Sequence, residues 1–423
     1  EGNTDEMLIE ALTILCIALA NVSEKTCSGV IPLNIVSLYY IFQFNVARIN
    51  YITTKSNDPL TIALITDAHI DPLYEPYGVA NCNEPTCSND IRNLSFMRKE
   101  FGDNVLIVPS IGNHESQPTN QFAPSSVKGD KVNTTWLYES LAKKWDFYLT
   151  EDAKATVREH GGLSMLVRPG LRVISINNNI PYKSNWWVVY DPLESKRHLE
   201  WLVHELHKAE LAGESVHILA HIPPGVHDLI YTWTREYNRV VTRFSSTIKG
   251  QFSGHTHSDE YKIFYSTEDG SPINMVWGAG STTAYTFYNV NYKIEPSNIV
   301  NYVYNLTEAN LTPHRRPHWF QLYDMKNTFG INDLSPATMN DLTYKMVTNN
   351  LLALDMYAAF YSKLSDGRWP YCNRYCKIDN LCKTVVTVLW KREKCDELRE
   401  LFFSSLGILA YLSICSMSFV IYL

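Results

Sequence analysis

The sequence predicts an α/β fold with a layered α-β-β-α core. Short β-branched, apolar runs alternate along the chain with segments in which apolar residues recur three and four positions apart. Strands that alternate with helices are typical of this fold class. The predicted strands span residues 61–66, 105–110, 171–176, 216–220 and 249–253, and the clearest predicted helices span 136–148 and 193–212.

The composition indicates a large core and argues against nucleic-acid binding. Of the 423 residues, 45% are hydrophobic, and 37 basic side chains stand against 44 acidic ones, which gives a net charge of −7. This balance, without a dense Lys/Arg run, is unfavourable for electrostatic contact with nucleic acid. Protonation of all thirteen histidines would change the charge to +6 and would favour contact with anionic membranes at acid pH.

The cysteines and glycosylation tripeptides favour the secretory route. Eight of the nine cysteines are clustered, which is typical of local disulfides in an oxidising compartment, with free buried thiols or a zinc knuckle as the alternatives; Cys415 stands alone in the apolar tail. We expect a secreted or lysosomal monomer. The cysteines are Cys16, Cys27, Cys82, Cys87, Cys372, Cys376, Cys382, Cys395 and Cys415, and the Asn-x-Ser/Thr tripeptides begin at Asn21, Asn93, Asn133, Asn305 and Asn310.

Both ends of the chain contain apolar segments. Residues 7–45 have the periodicity of two short helices. Residues 401–423 are uncharged over 23 positions, long enough to cross a bilayer. The tail is predicted to be a membrane anchor or, with a poorer match, a lipid-anchor signal; a buried terminus is the alternative.

Four of the predicted strands are followed at once by residue types that bind metals. In α/β sheets ligands collect at the carboxyl ends of strands, so the four clusters are expected to converge on one site. A lone histidine after a strand is more often structural, but four clusters in this order indicate a metal centre. They are Asp67-Ala-His69-Ile-Asp71, Gly112-Asn113-His114-Glu115, His221-Ile-Pro-Pro-Gly225 and Gly254-His255-Thr-His257.

The donor types indicate the chemistry of this centre. Mixed carboxylate, imidazole and amide ligands suit zinc, manganese or iron, and the lack of thiolates argues against a structural zinc site. Two metals would neutralise the oxygens of a phosphodiester and make water nucleophilic. The reaction also needs an acid for the leaving oxygen. His114, next to a ligand position but not an obvious ligand itself, is the candidate.

These motifs resemble the calcineurin-like metallophosphoesterase superfamily and, within it, the acid sphingomyelinase family. The resemblance runs through nearly all of residues 61–400 and includes Pro317-His-Trp319 and the carboxyl-terminal cysteine pattern. It implies three disulfides: Cys82–Cys87, Cys372–Cys376 and Cys382–Cys395.

The same resemblance implies two zinc ions and assigns a role to each motif residue. His114 would donate the proton. One zinc would be held by Asp67, His69 and His257, and the other by Asn113, His221 and His255.

The amino-terminal helices resemble the central part of a saposin module, whose disulfide-tied amphipathic helices engage lipid surfaces. This resemblance rests on Leu15-Cys16 and Cys27-Ser-Gly-Val-Ile31, and an ordinary helical cap is the alternative. The expected organisation is a truncated saposin-like module at 1–45, a linker at 46–60, the metallophosphoesterase domain at 61–330, a helical disulfide-containing region at 331–400 and an apolar tail at 401–423.

The chain departs from the family between the first two motifs. The family has there a strand that ends in Gly-Asp, whose aspartate bridges both metals, and a further histidine thought to aid catalysis. Here Gly102-Asp103 precedes a predicted strand, at the wrong end to reach the metals, and Asp71 corresponds to a family aspartate that does not bridge. We expect a missing central strand near residues 87–91 and weaker binding of at least one metal.

The resemblance implies zinc-dependent hydrolysis of sphingomyelin to ceramide and phosphocholine at a membrane surface, with an activity that loss of the bridging aspartate could impair. Sphingomyelin or another phospholipid is the expected substrate because the related phosphodiesterases lack the saposin module. Two alternatives stay open. One is a catalytically inactive lipid-binding relative, and the other is a phosphodiesterase that acts on nucleotides or other soluble phosphodiesters.

Overall fold

The computed structural model of the chain describes residues 62–67, 105–129, 132–283, 288–295, 298–312, 315 and 317–405. The predicted module at 1–45, the linker at 46–60, the positions of His69 and Asp71, and the Cys82–Cys87 pair lie outside the described residues, as does the tail beyond residue 405. Within the described part of the chain, no helix is long and apolar enough to cross a membrane.

Ten strands form two sheets in the described residues. They are β1 (Ile62–Leu64), β2 (Leu163–Arg168), β3 (Leu171–Ile176), β4 (Ser215–Ala220), β5 (Ile248–Ser253), β6 (Tyr261–Tyr265), β7 (Pro272–Gly278), β8 (Val290–Glu295), β9 (Val300–Tyr304) and β10 (Trp319–Asp324).

The larger sheet has six strands in the order β2-β3-β4-β5-β7-β6. Its central strands β3, β4, β5 and β7 run parallel, while β2 and β6 pair antiparallel at the two edges. The smaller sheet is antiparallel in the order β1-β8-β9-β10. Because the central strands are parallel, the carboxyl ends of β4 and β5 point to the same edge, where the predicted metal-binding motifs begin.

The helices lie outside the sheets. In the described residues they are α1 (Thr135–Lys144), α2 (Glu151–His160), α3 (Trp187–Tyr190), α4 (Glu194–Leu211), α5 (Tyr231–Arg243), α6 (Leu306–Leu311), α7 (Met325–Phe329), α8 (Pro336–Thr348), α9 (Leu351–Tyr361) and α10 (Arg374–Cys382), followed by a helix over 393–405.

Helices α4 and α5 pack on the six-stranded sheet through an apolar stripe. Leu202 and Leu206 of α4 and Tyr237 of α5 are buried against Ile174 and Ile218 of the inner strands. This is the pattern expected of amphipathic helices on a parallel sheet. A second apolar cluster joins β1, β6, β7 and α8 to the carboxyl-terminal helices. The predicted α/β class is therefore confirmed.

Most of the strands and helices predicted by periodicity are confirmed. The predicted helices at 136–148 and 193–212 correspond to α1 and α4, and four of the five predicted strands correspond to β1, β3, β4 and β5. The carboxyl-terminal region is helical, as expected. Both disulfides implied there, Cys372–Cys376 and Cys382–Cys395, are present.

The strand predicted at residues 105–110 is wrong. The segment contributes Leu106 to a core cluster, but it pairs with none of the described strands. An apolar run signals burial, whereas a strand also needs a neighbouring backbone for its ladder of hydrogen bonds. The apolar character of this run thus predicted its burial correctly and its secondary structure incorrectly.

Gly225 in the loop after β4 provides a test of how the carboxyl-terminal region closes on the sheet. Its φ is +81°, and an added Cβ would lie 1.9 Å from the backbone oxygen of Val386. We expect Gly225→Ala to lower the free energy of unfolding in urea by roughly 3 kcal/mol, because both the backbone conformation and the clash oppose the methyl group.

Gly170→Ala is the matched control. Gly170 has a similar φ of +80° but no atom within 4 Å of the added Cβ, so only the conformational cost of about 1 kcal/mol should appear. Equal losses of stability in the two variants would contradict close packing of the β4 loop on the segment around Val386.

Candidate functional site

The predicted metal-binding residues converge where β1, β4 and β5 end. Asp67 Oδ1 lies 3.4 Å from His257 Nε2 and 3.9 Å from His221 Nε2. Asn113 Oδ1 lies 2.8 Å from His221 Nε2 and 3.3 Å from His255 Nδ1. The two imidazole nitrogens of His221 and His255 are 3.3 Å apart. Four separate chain segments therefore place polar donors around one point.

Three of these residues adopt a backbone conformation that L-amino acids rarely use. The φ angles are 52° at Asp67, 68° at His255 and 58° at His257. A non-glycine residue in the left-handed region is uncommon and costs free energy, so it persists only where surrounding contacts impose it. Clustering of such strain in one place is typical of a functional site.

Hydrogen bonds and glycines impose this backbone geometry. The backbone N–H of His255 donates to Asp67 Oδ2 at 2.8 Å, which ties the loop after β5 to the end of β1. An added Cβ on Gly254 would lie 2.3 Å from the same carboxylate oxygen. An added Cβ on Gly112 would lie 2.8 Å from a carboxylate oxygen of Glu115 and 3.2 Å from His221. Glycine is required at both positions because the polar groups sit against the backbone.

The loop after β4 is fixed to the neighbouring loops. Asn178, which follows β3, accepts from the N–H of Ile222 at 3.1 Å and donates to its carbonyl at 2.5 Å. The carbonyl of His221 accepts from the N–H of Gly254 at 2.9 Å. These bonds restrict the orientation of His221, because they hold its own carbonyl and the backbone of the next residue.

Two acidic residues just after the fourth motif anchor its loop in the protein interior. Asp259 is buried, accepts from Tyr323 Oη at 2.9 Å and forms an ion pair with Lys293 at 2.5 Å. Glu260 accepts from Thr256 Oγ1 at 3.1 Å. Buried polar contacts directly after Gly254-His255-Thr256-His257 thus hold the loop in place.

Asp228 and Tyr182 are site residues that the sequence analysis missed. Asp228 Oδ2 lies 3.2 Å from His255 Nε2, and the ring of Tyr182 packs edge-on against the imidazole of His255 at 5.6 Å. A carboxylate on the far nitrogen of a metal-binding histidine fixes its ring and tautomer. The only signal for Asp228 was a carboxylate seven positions after His221 in the same loop.

His114 lies close enough to Asp67, His255 and His257 to sense their charges. Burial lowers the pKa of its imidazole from 6.5 to about 4; the carboxylate of Asp67 opposes that shift, and the two histidines add to it. A side chain in this setting is neutral through most of the physiological range.

The donor set fits a metal ion in composition and spacing. Ligand atoms on one tetrahedral zinc are about 3.3 Å apart for bond lengths near 2.0 Å. The contacts among Asn113, His221 and His255 have this spacing. No group of three or more His, Cys, Asp and Glu side chains that could hold a metal occurs in the described residues. Neither expected ligand set meets that description within the described residues. One set includes the amide of Asn113, and the other includes His69, which lies outside the described ranges.

Two family models match the chain, and the first of them covers all the described donor residues of the site. The calcineurin-like phosphoesterase model matches residues 60–259, and the acid sphingomyelin phosphodiesterase C-terminal region matches residues 274–395. Sphingomyelin phosphodiesterase A of Dictyostelium discoideum is 31% identical over 416 residues, which cover 81% of this chain and 69% of the relative. The chain belongs to the acid sphingomyelinase family.

Two further relatives differ from this one in similarity and in length. Sphingomyelin phosphodiesterase of Bos taurus is 36% identical over 307 residues, which cover 69% of this chain and 48% of the relative. This chain thus spans about half the length of that curated relative. The cyclic GMP-AMP phosphodiesterase SMPDL3A of Rattus norvegicus is 27% identical over 330 residues, 72% of this chain and 71% of the relative. The metallophosphoesterase match implies use of divalent metal.

The charge state of His114 can be tested in this acid sphingomyelinase family member by NMR. In the metal-free chain, we expect its imidazole to titrate near pH 4 because burial disfavours the charged form. The neutral form is favoured in the folded state, so this residue's contribution to stability is present above pH 6.5 and is lost as the pH falls toward 4. His114→Asn identifies the resonance by removing it. A midpoint near pH 6.5 would contradict the burial.

Proposed function

We propose that this chain is a zinc-dependent phosphodiesterase that cleaves sphingomyelin to ceramide and phosphocholine. The observation that carries the proposal is the convergence of Asp67, Asn113, His221, His255 and His257 on one strained, buried cluster. Membership of the acid sphingomyelinase family supports the reaction class.

The proposed ligands divide into two sets. Asp67 and His257, with His69, would hold one zinc, and Asn113, His221 and His255 would hold the other. When bound, the metals would neutralise the phosphate oxygens and lower the pKa of the attacking water. The residues of the chain supply the geometry: Asp67 Oδ1 faces both His257 and His221, so it lies between the two sets.

His114 is the proposed donor of the proton to the leaving oxygen of ceramide. With a pKa of about 4, roughly one tenth of it is protonated at pH 5, which favours an acid optimum. A phosphodiester anion next to the imidazole would raise that pKa, since an opposite charge stabilises the protonated form. Water adds its oxygen to phosphorus and releases a proton to solvent, and the phosphorus–oxygen bond to ceramide breaks as His114 transfers its proton to the leaving oxygen.

We also propose that one of the two metals is held weakly. The sequence has no Gly-Asp motif after a predicted strand between the first two site motifs, and residues 105–110 find no strand partner in the described chain. Both observations support loss of the strand that would carry a bridging aspartate. Without that carboxylate, two dications would share less compensating negative charge.

Hydrolysis of sphingomyelin vesicles and of cyclic dinucleotides at acid pH should be compared directly. We expect a higher kcat/KM for sphingomyelin because the sphingomyelin phosphodiesterases are the more similar relatives. The second candidate function, cleavage of nucleotide phosphodiesters, is favoured by the likeness to SMPDL3A and would be supported by the reverse preference. A folded, zinc-loaded chain that cleaves neither substrate would indicate an inactive lipid-binding relative.

Gly254→Ala tests the role of the Asp67 carboxylate. The added Cβ would lie 2.3 Å from Asp67 Oδ2, so the carboxylate must move and its bond to the His255 amide must break. We expect kcat/KM for a soluble chromogenic phosphodiester to fall by about 100-fold, as is usual for a misplacement of about 1 Å.

Gly250→Ala, within β5, is the matched control. Its added Cβ would come no closer than 3.3 Å to the ring of Phe252, which can adjust. We expect its activity to stay within about threefold of wild type. Equal activity in the two variants would rule out a catalytic role for the Asp67–His255 contact.

A further inference from the structure

A row of exposed apolar side chains lies beside the candidate site. Trp186, Val189, Tyr190 and Leu193 are 77%, 87%, 67% and 58% exposed, and we call them the apolar ridge. Residues 184–190 contain no charged side chain. Single exposed apolar residues are ordinary, whereas a contiguous group is typical of an interaction surface.

The ridge is held in place by buried hydrogen bonds at its base. Asn185 is 1% exposed; its side chain accepts from the N–H of Phe122 and donates to the carbonyls of Phe122 and Ile180, at 3.0–3.1 Å. Gln121 donates to the carbonyl of Ser184 at 2.7 Å and accepts from the N–H of Trp186 at 3.3 Å. The exposure of the ridge is therefore fixed by the fold rather than by fraying of a loop.

The same segment is joined directly to the candidate site. Tyr182 packs against His255, and the N–H of Lys183 donates at 2.7 Å to the carbonyl of Asp228, whose carboxylate faces His255. The ammonium of Lys183 lies 4.5 Å from the ring centre of Tyr231. The aromatic surface thus begins within a few residues of the site.

Charge and composition favour a lipid surface as the occupant. Arg197 pairs with both Asp191 and Glu194 at 2.5 Å and so offsets one of the two negative charges next to the ridge, while the ammonium of Lys183, on the ring of Tyr231, adds a second cation at the start of the segment. Trp and Tyr are enriched at membrane interfaces because each has an apolar body and a polar edge. The surface formed by four side chains is small compared with the about 800 Å² that each partner buries in a stable protein complex, which favours a lipid surface over a protein partner.

We propose that the apolar ridge inserts into the interfacial layer of a zwitterionic phospholipid surface and places the mouth of the candidate site against it. The inference rests on the proposed function, since the headgroup to be cleaved would come from that surface. The ridge is a membrane contact of the catalytic body itself, separate from the segment at 1–45.

Flotation of the full chain with phosphatidylcholine vesicles that contain no sphingomyelin tests this contact. The variant W186S/V189S/Y190S removes most of the ridge. Since these side chains are exposed, folding should be preserved, which thermal unfolding checks. We expect the vesicle partition coefficient to fall at least about tenfold, with hydrolysis of a soluble phosphodiester unchanged.

The matched control replaces three similarly exposed residues elsewhere, in the variant L211S/L352S/Y371S. It should bind vesicles within about twofold of wild type. The proposal would be overturned if the ridge variant bound vesicles as strongly as the wild-type chain, or if the wild-type chain bound no vesicles. It would also be overturned if the wild-type chain formed a dimer that the ridge substitutions dissociate. If the chain binds vesicles through the ridge but hydrolyses no phosphodiester, the proposed function fails and the membrane contact stands.

Discussion

The buried carboxylate of Asp67 joins the two sheets, and the candidate site is assembled around that contact. Only 2% of this side chain is exposed, and burial of a carboxylate is costly unless it is compensated by hydrogen bonds or charge. The backbone N–H of His255 donates to this carboxylate, and the imidazoles of His257 and His221 lie 3.4 and 3.9 Å from it. Thr66, one residue earlier, accepts from the N–H of Thr282 at 2.9 Å and adds a second tie. The contacts that hold the sheets together are therefore also the contacts that shape the site.

The carboxyl-terminal region stabilises this arrangement from outside. The disulfide Cys382–Cys395 closes the segment that carries Val386 against Gly225 in the loop after β4. In the same segment, Thr387 donates to Asn238 of α5 at 2.7 Å. A disulfide limits the conformations of the unfolded chain, so it favours the state in which this segment is docked. The two regions matched by separate family models are thus parts of one packed body near the site.

Much of the site was predictable because residue types that bind metals follow β1, β4 and β5, whereas other parts depend on long-range packing. The motifs with Asn113, His221, His255 and His257 could be recognised from local spacing. Asp228 could not, because its role depends on the tertiary contact with His255. The smaller sheet was largely missed, since the paired strands β8 and β9 contain many tyrosines and buried polar residues such as Asn291 and Asn301 and lack a clear apolar alternation. Residues 105–110 show the opposite error: their apolar sequence predicted a strand, but the segment is buried without pairing to a described strand.

Zinc binding to the folded, metal-free chain, measured by calorimetric titration, tests most directly whether the cluster around Asp67 is a metal centre. His221→Ala removes a donor that lies 2.8 Å from Asn113 Oδ1, and His207→Ala removes an exposed histidine on α4 as a control. The proposed centre predicts that the wild-type chain and His207→Ala bind zinc alike, and that His221→Ala binds at least about tenfold more weakly. Equal binding by all three chains, or no binding by the wild type, would contradict it.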